Sequence, residues 1–412
     1  MLTLFDDIEE QPKVSLTEVF DAYYACRKNK RNKPSAVEFE LNLEDNLIQL
    51  WQEINDLSYE PKRSICFIVE KPVKREIFAA NFRDRIIHHL LINKTMDLFE
   101  ASFITDSYAC RKNKGMLYGQ KRVFEMIKDE SENYTKDCYI LKLDIRAFFM
   151  SIDKVKLFQL LKKFLKENYK KQDLDVVLFL YEKVIFNDPT IDCEFRSWKQ
   201  KWNELPSDKS LFTAQKNKGL AIGNLTSQVL ANFYMNVLDQ FVKHNLKIKN
   251  YARYVDDFII IHKDKKYLIK LIAQLKSFLK KQMGLILHPK KIYLQHYSKG
   301  VAYIGAYIKK YRICAGRRII KNFNEAVNVY NKFDENLNFE DLNKIMMTIN
   351  SYLGFLQHYS SFKVKRHIVN RCNVGFMSKF KYRNNYNKIN FNKTIVKKNK
   401  TNLVCEFKII EE

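Results

Sequence analysis

Glycine and proline are scarce, at 10 and 7 in 412 residues. The chain therefore has few residues that break regular elements, and long helices and strands with few loops are expected. No CxxC pair occurs among the eight cysteines (Cys26, Cys66, Cys110, Cys138, Cys193, Cys314, Cys372, Cys405). That excludes the common zinc spacings and points to free thiols in a reducing, cytoplasmic setting. Long hydrophobic runs are missing too: the longest is a handful of residues around Phe258–Ile261, and Met1–Pro12 is acidic and polar. Neither a signal peptide nor a membrane span is expected. Acidic residues are the minority, 47 Asp and Glu against 72 Lys and Arg, leaving a net charge of +25. Such a balance strains a compact state unless a polyanion is the usual partner, with nucleic acid the first candidate and an anionic membrane the second.

What is present excludes a disordered basic tail, because 46% hydrophobic and 14% aromatic residues supply ample surface to bury. The length rules out a small disulfide scaffold or a lone binding module and accommodates two or three subdomains. The pair His88–His89 sits in a helical pattern with Ile86 and Leu90 on its apolar face, so structural histidines are expected there rather than metal ligands.

The spacing predicts a helix opening at Pro34, with Ser35 as N-cap and Glu38 completing a capping box, and an apolar stripe from Phe39 to Ile54. Ser64–Glu70 reads as a strand followed by a basic turn, Lys71–Arg75. Cys138–Asp144 (CYILKLD) is a second strand ending on a carboxylate. A helix after Asp153 and another over Asn224–Val242 follow. Tyr251–His262 (YARYVDDFIIIH) reads as a hairpin with Asp256 and Asp257 at its tip. A helix over Asp264–Met283 and short strands near Leu285–Leu287 and Val301–Tyr307 come next, and residues 317–373 read as helical. This order predicts a split βαβ arrangement, an antiparallel sheet backed by helices, with Asp144 and the hairpin tip on adjacent strands. Between Lys379 and Lys400 stand eight Lys and Arg, no acid and many Asn, which suits an extended arm contacting nucleic acid. One run, Tyr-Ala-Cys-Arg-Lys-Asn-Lys, occurs twice, at Tyr24–Lys30 and Tyr108–Lys114.

An Asp at a strand end and an Asp pair at a hairpin tip, in a cationic chain, are what two-ion phosphoryl transfer requires. Hard oxygen ligands suit Mg²⁺; one ion lowers the pKa of an attacking hydroxyl and the other stabilises the leaving pyrophosphate. Asp is also common in polar turns. The surrounding residues decide the matter: the chain resembles the reverse transcriptase family. Lys142–Phe149 (KLDIRAFF) looks like its first palm motif, Gly219–Gln228 (GLAIGNLTSQ) like its second and Tyr254–Asp257 (YVDD) like its third. Leu287–Lys291 (LHPKK) resembles the fourth and Val301–Gly305 (VAYIG) the fifth, a primer-gripping hairpin. Lys74–Ile77, Arg83–Arg85 and Asp106–Arg111 resemble the fingers. The likeness runs over roughly residues 15–370 in the family's order.

The resemblance implies an α+β right-hand polymerase fold: an N-terminal helical extension (1–60), fingers (61–137), a ferredoxin-like palm (138–310, with an insertion at about 170–218), a helical thumb (311–376) and a basic tail (377–412). It implies two Mg²⁺ ions, with Mn²⁺ able to substitute, held by Asp144, Asp256, Asp257 and the backbone carbonyl of Ile145. Lys291 would protonate the departing pyrophosphate, with Lys290 a competitor. Arg75 and Arg111 would clamp the triphosphate of the incoming deoxynucleotide. Phe149 would pack on its sugar and exclude a 2′-hydroxyl, and Ile222 and Gln228 would lie beside it. Gly223, Ser227, Tyr303 and Gly305 would meet template and primer. Ile222 stands where many members have Gln, which predicts relaxed nucleotide selectivity.

Within the family, Ser227–Gln228 replaces the usual Ser-Pro. The runs GLAIGNLTSQ, RDRIIHHL, DSYACRKNKG and LPSDKSLF look most like enzymes of diversity-generating retroelements and related bacterial defence-associated reverse transcriptases. Ala221, where Pro is usual, and the run Asn113–Leu117 depart from the pattern without removing a metal ligand. The implied partners are a structured template or non-coding RNA, a DNA primer and product, dNTPs, and a small accessory protein or a second reverse transcriptase subunit; no membrane is implied. The segment after the thumb is too short for an RNase H domain, and Tyr382, Tyr386 and Phe391 are available either to stack on bases or to dock on the protein itself. The readings in view are DNA synthesis in a diversity-generating retroelement, DNA synthesis from a non-coding RNA in phage defence with a Tyr as primer, and an inert nucleic-acid-binding scaffold.

Overall fold

The computed structural model describes residues 12–71, 73–332, 338–372, 379–383 and 386–392. Three helices open it: α1 (Leu16–Arg27), α2 (Pro34–Glu40) and α3 (Leu43–Asn55). A full capping box starts α1, where Ser15 accepts from Glu18 N and the Glu18 side chain returns to Ser15 N. The sequence places that motif at Ser35 instead. There Pro34 is the first helical residue, Lys33 is the N-cap and no side chain caps the helix, since Pro at the first position needs no partner for a missing N–H. The stripe Phe39–Ile54 is also split, by a break at Leu41–Asn42.

Strands β1 (Ser64–Val69) and β2 (Arg75–Ala79) form an antiparallel hairpin, followed by α4 (Phe82–Ser102) and α5 (Met116–Glu130). Then come β3 (Tyr139–Leu143), a single turn α6 (Phe148–Ser151), α7 (Lys154–Asn168), α8 (Leu174–Phe186) and β4 (Cys193–Phe195). The last is a strand of the insertion and pairs in parallel with β1, so the hairpin becomes a three-stranded sheet of order β2-β1-β4. After α9 (Leu225–Gln240) come β5 (Tyr251–Tyr254), β6 (Asp257–His262), α10 (Lys265–Phe278) and β7 (Tyr293–His296). The strands bearing the acidic residues form a sheet of order β5-β6-β3-β7, so the predicted adjacency of β3 and the hairpin is present. Leu285–Leu287 is not a strand; only an isolated bridge, Leu287 to Ile145, forms there.

The remaining elements are β8 (Val301–Tyr303), β9 (Ala306–Lys309), β10 (Arg312–Ala315), α11 (Arg317–Tyr330), α12 (Phe339–Leu356), α13 (Phe362–Val369), β11 (Phe380–Arg383) and β12 (Lys388–Phe391). The chain divides into two compact units. The first comprises the described residues of Met1–Lys112, Lys142–Ile260 and Lys266–Tyr293; α4 and α9 are its central helices, burying Ile86, Ile87, Leu90, Leu230, Phe233 and Tyr234.

The second unit comprises the described residues of Asn113–Leu141, Ile261–Lys265 and Leu294–Glu412. Its core gathers Phe323, Val327, Ile345, Ile349, Leu353, Leu356, Phe380 and Ile389. Here one expectation is corrected. Phe380–Arg383 and Lys388–Phe391 pair as antiparallel strands, not as parts of an extended arm. Tyr382, Tyr386 and Phe391 pack on this core, Phe391 stacks on Phe339 at 5.1 Å between centroids, and Asn350 brackets Ile389 N and O at 2.7 and 2.9 Å. Apolar rings beside an uncovered helix face lose more water by docking there than by waiting for a base. The rest of the basic tail lies outside the described residues.

Candidate active site

Asp144 follows the last residue of β3, and its carbonyl accepts from His288 N at 2.8 Å while Arg146 N donates to Ile286 O at 2.9 Å. These two bonds straddle Ile145 and leave its carbonyl outside the pairing. The Asp144 carboxylate takes both its oxygens to Lys291 Nζ, each at 3.0 Å. Of the two lysines, Lys291 is thus the one brought to the carboxylate. The β5–β6 turn is tighter than predicted: Tyr254 pairs with Asp257, so Val255 and Asp256 form the tip and Asp257 begins β6. Val255 has φ +56°, a left-handed conformation that a β-branched residue adopts only when its surroundings enforce it.

Arg253 supplies that enforcement, and nothing in the motif pattern pointed to it. It is completely buried, and Nη1 donates to Val255 O at 3.0 Å and to Asn232 Oδ1 at 2.8 Å. Nε and Nη2 fork onto Asp239, itself completely buried on α9, while Tyr251 O–H donates to the same carboxylate at 2.6 Å. The available signal was the strand period: Tyr251 and Arg253 share the inward face, and an inward guanidinium requires a buried acid.

The electrostatics of the carboxylates follow from burial and mutual repulsion. Burial and then the Asp144 charge push Asp256 up to about 6, with Lys291 and Arg75 opposing. Burial also pushes Asp257 up to about 6 against the pull of Lys142, whose Nζ is 3.1 Å from Oδ2. Asp257 Oδ1 is buried without a hydrogen-bond partner. Three oxygen donors that repel one another, one with an orphaned lone-pair site, fit hard divalent cations. In this conformation Asp144 and Asp257 turn to their lysines, and among the described residues no three acidic, His or Cys side chains form a ready metal-binding group.

Other predicted residues divide. Arg75 is exposed at the start of β2, within electrostatic reach of Asp256. Phe149 is half-buried and edge-on to buried Phe148. Ile222 is half-buried and Gln228 exposed, while Ser227 is buried on α9. Gly223 is required, but by protein: at φ +132°, a Cβ would stand 2.6 Å from Phe78 O, where Ile222 O also accepts from Phe78 N.

Two residues are not where a ligand-gripping role needs them. Arg111 is engaged throughout, forking onto Glu100 at 2.8 Å and donating to Ile104 O and Ser107 O at 2.6 and 3.0 Å. Those bonds hold the segment that pairs with β5. In the second unit Tyr303 is 1% exposed, so β8 turns it into the core. Its neighbour Gly305, at φ +87° with open space around it, forms the β8–β9 turn with Ile304, whose carbonyl accepts from Gln120 at 2.8 Å.

Sequence reasoning also passed over Glu76. Its buried carboxylate accepts from Trp202 Nε1 at 2.7 Å, Ser210 Oγ at 2.8 Å and Leu211 N at 2.6 Å. Three donors from the insertion thereby fix β2, next to Arg75. In the sequence Glu76 stands within the Lys74–Ile77 run that resembles the fingers, with no role of its own.

The sequence profile of the reverse transcriptase (RNA-dependent DNA polymerase) family matches residues 68–308. No curated protein matches the chain. Among solved structures, it is similar to an apo telomerase from Candida tropicalis (11% identity, TM-score 0.46, covering 76% of this chain and 59% of that one). It is also similar to a Candida albicans telomerase in complex with the TWJ fragment of telomeric RNA (10% identity, TM-score 0.41, covering 78% and 61%). The chain thus spans about three-fifths of the length of these structures. With a profile match over more than half its length and the mixed helices and antiparallel sheets of the right-hand polymerase fold, the chain belongs to the reverse transcriptase family.

Proposed function

We propose that this protein is an RNA-directed DNA polymerase whose centre is Asp144, Asp256 and Asp257. The observation that carries the reading is the meeting of these three mutually repelling carboxylates on β3 and the adjoining β5–β6 turn. Asp144, Asp256 and Asp257, with the Ile145 carbonyl, would hold two divalent ions, Mg²⁺ or Mn²⁺. Bound there, such ions supply activation of a primer hydroxyl and charge stabilisation on the departing pyrophosphate. Lys291 orients Asp144 and stands ready as the proton donor. Lys142 orients Asp257. Arg75 offers its guanidinium to the triphosphate, Phe149 its ring to the sugar, and Ile222 and Gln228 line the nascent pair. Arg111 acts at a distance, by holding the scaffold behind β5.

The fingers, palm and thumb bounds given by the resemblance complete this reading, with RNA as template, a DNA strand as primer and product, and dNTPs as substrates. The GLAIGNLTSQ and DSYACRKNKG runs favour a diversity-generating retroelement with its own structured RNA and an accessory protein. A defence-associated enzyme copying a non-coding RNA is the second reading, favoured by the same runs; a template repeat beside a variable gene at the locus separates the two. The test is primer extension on an RNA template with dNTPs and Mg²⁺. Extension by the native chain and its abolition by Asp256→Asn are expected. Undiminished extension by Asp256→Asn overturns the assignment.

A further inference from the structure

Two strained turns meet in the second unit, and each presents a tyrosine. Lys309 pairs with Arg312, so Lys310 and Tyr311 alone form the β9–β10 turn, with Tyr311 at φ +65°. Hairpin turns place Gly, Asn or Asp at such a position, because a bulky side chain is crowded in the left-handed region. Facing it, Glu132, Asn133 and Tyr134 are left-handed in succession, at φ +47°, +56° and +69°, a conformation that residues other than Gly adopt singly if at all. Ser131 Oγ holds this second turn, accepting from Tyr134 N at 3.0 Å and donating to Ile127 O at 2.7 Å, and Tyr297 O–H donates to Tyr134 O at 3.1 Å. Packing accounts for one ring and not the other: Tyr134 is 8% exposed, whereas Tyr311 is 71% exposed. Burial therefore offsets the strain at Tyr134 and does not offset it at Tyr311.

The rings continue as a band behind the turn. Tyr311 meets Tyr134 edge-on at 4.9 Å between centroids, Tyr134 lies 5.7 Å from Tyr297, Tyr297 4.4 Å from His296, and His296 5.5 Å from Tyr139. A lysine closes each end, within the range of a cation–π contact. Lys310 Nζ is 4.9 Å from the Tyr311 centroid and 5.8 Å from that of Tyr134, and Lys265 Nζ is 5.9 Å from that of Tyr139. The β9–β10 turn carries charge of one sign, since Lys309, Lys310 and Arg312 are all exposed around Tyr311. From Lys265 to Asn324 the sequence contains no Asp or Glu. Glu132, in the facing turn, pairs with Lys136 at 2.7 Å, and Asp137 lies at the Tyr139 end of the band, 3.2 Å from His296.

We propose that the β9–β10 turn anchors an unpaired nucleic-acid strand, RNA or single-stranded DNA, at a site of its own. A base lies on the Tyr311 ring, which the band behind it keeps in place, and the flanking phosphates meet Lys309, Lys310 and Arg312. Aromatic rings set among cations hold single strands with little regard to sequence, because every base has a π-face. In a duplex the bases are already stacked on one another and leave the ring uncovered. A lipid surface is the poorer match, since it calls for an apolar face beside the cations and the turn offers a single ring. The site does not depend on the polymerase reading, because it uses none of the three carboxylates and none of the residues assigned to nucleotide, template or primer.

The test is fluorescence anisotropy of labelled RNA and DNA single strands of about ten nucleotides, titrated with the full chain in the presence of excess unlabelled primer–template duplex. Tyr311→Gly is expected to weaken one or both strands about tenfold, within the range for the loss of one stacked base. The same change is expected to leave the unfolding midpoint unchanged or higher, because Gly relieves the left-handed turn. Lys309→Gln/Lys310→Gln, at exposed side chains, is expected to lower the salt slope of the responding strand by about 1.4, two phosphates at ~0.7 each, and guards against misfolding of the first variant. The strand that responds identifies the source, RNA or DNA. Unchanged affinity of Tyr311→Gly for both strands, an equal loss on a labelled duplex, or a loss seen only on vesicles containing an anionic lipid overturns the proposal. Native primer extension measured in parallel keeps the two readings apart: extension without a single-strand loss overturns this site alone, and a single-strand loss without extension overturns the polymerase reading alone.

Discussion

Arg253 and Val255 are two residues apart in the YARYVDD run and explain each other. The guanidinium holds a carbonyl whose residue would otherwise relax out of the left-handed region, and Asp256 and Asp257 depend on that turn for their direction. Breaking a buried pair by removing one partner leaves the other charge stranded. Arg253→Ala is therefore expected to cost about 3–5 kcal/mol in denaturant unfolding, and Arg253→Met/Asp239→Leu much less; equal costs would refute the pairing. His88 gives a second test. Burial and the neighbouring His89 and Arg85 hold it down to about 3, and its Nδ1 is 2.9 Å from Thr226 Oγ1. A depressed folded-state pKa contributes stability above the unfolded value, about 6.5, that is lost as pH falls toward 3. Relative to His88→Gln, the native chain should lose about 2 kcal/mol between pH 7.5 and 5, read as the difference in unfolding free energy; a constant difference would refute it. The three carboxylates proposed as the centre were legible because their spacing is a motif. The Arg253–Asp239 pair and the Glu76 junction were not, because the partners stand 14 residues apart in the first and 126 to 135 in the second.

At the scale of elements, strands and helices with an unbroken period were read correctly: β1, β3, α7, α9 and the β5–β6 hairpin lie where alternation and the apolar stripe put them. Of the failures the first is local, since Pro34 at the first helical position needs no cap, and the other two share a cause. A capping box at Ser35 gave way to Pro34, a strand near Leu285 found only one bridging residue, and β4 joined β1 across more than a hundred residues. Local preference decides where an element can begin, while pairing at a distance decides whether it does. The junction of β2 with the insertion is testable. Glu76→Gln keeps the shape but weakens the acceptor, and hydrogen bonds to a charged group are worth about 1.5–3 kcal/mol each. The variant is expected to lower stability by at least about 1 kcal/mol and to raise KM for dNTPs through Arg75. An unchanged KM would mean that the insertion does not position β2.

For the whole molecule, the charge of +25 is distributed unevenly in purpose. Some cations are consumed internally, as Arg27, Arg111 and Arg253 are, whereas Arg75, Lys28 and Lys112 are exposed. A surface that neutralises about six phosphates loses ~10³-fold affinity between 50 and 200 mM salt. Primer–template binding by this chain is expected to fall at least that steeply in anisotropy titrations, and a flat response would remove phosphate contact as the reason for the excess. Composition made the polyanion legible but not its location, since counting lysines does not separate a displayed one from a spent one.

The Glu76 junction sets a limit on dissection. The insertion at about 170–218 looks removable, yet it contributes a strand to the first sheet and all three donors to a carboxylate in its middle. A shortened chain lacking it would keep every polymerase motif and lose the only counterparts described for a sealed charge. Minimal versions of this chain should therefore be cut elsewhere, or should carry Glu76→Leu to make the excised surface self-consistent.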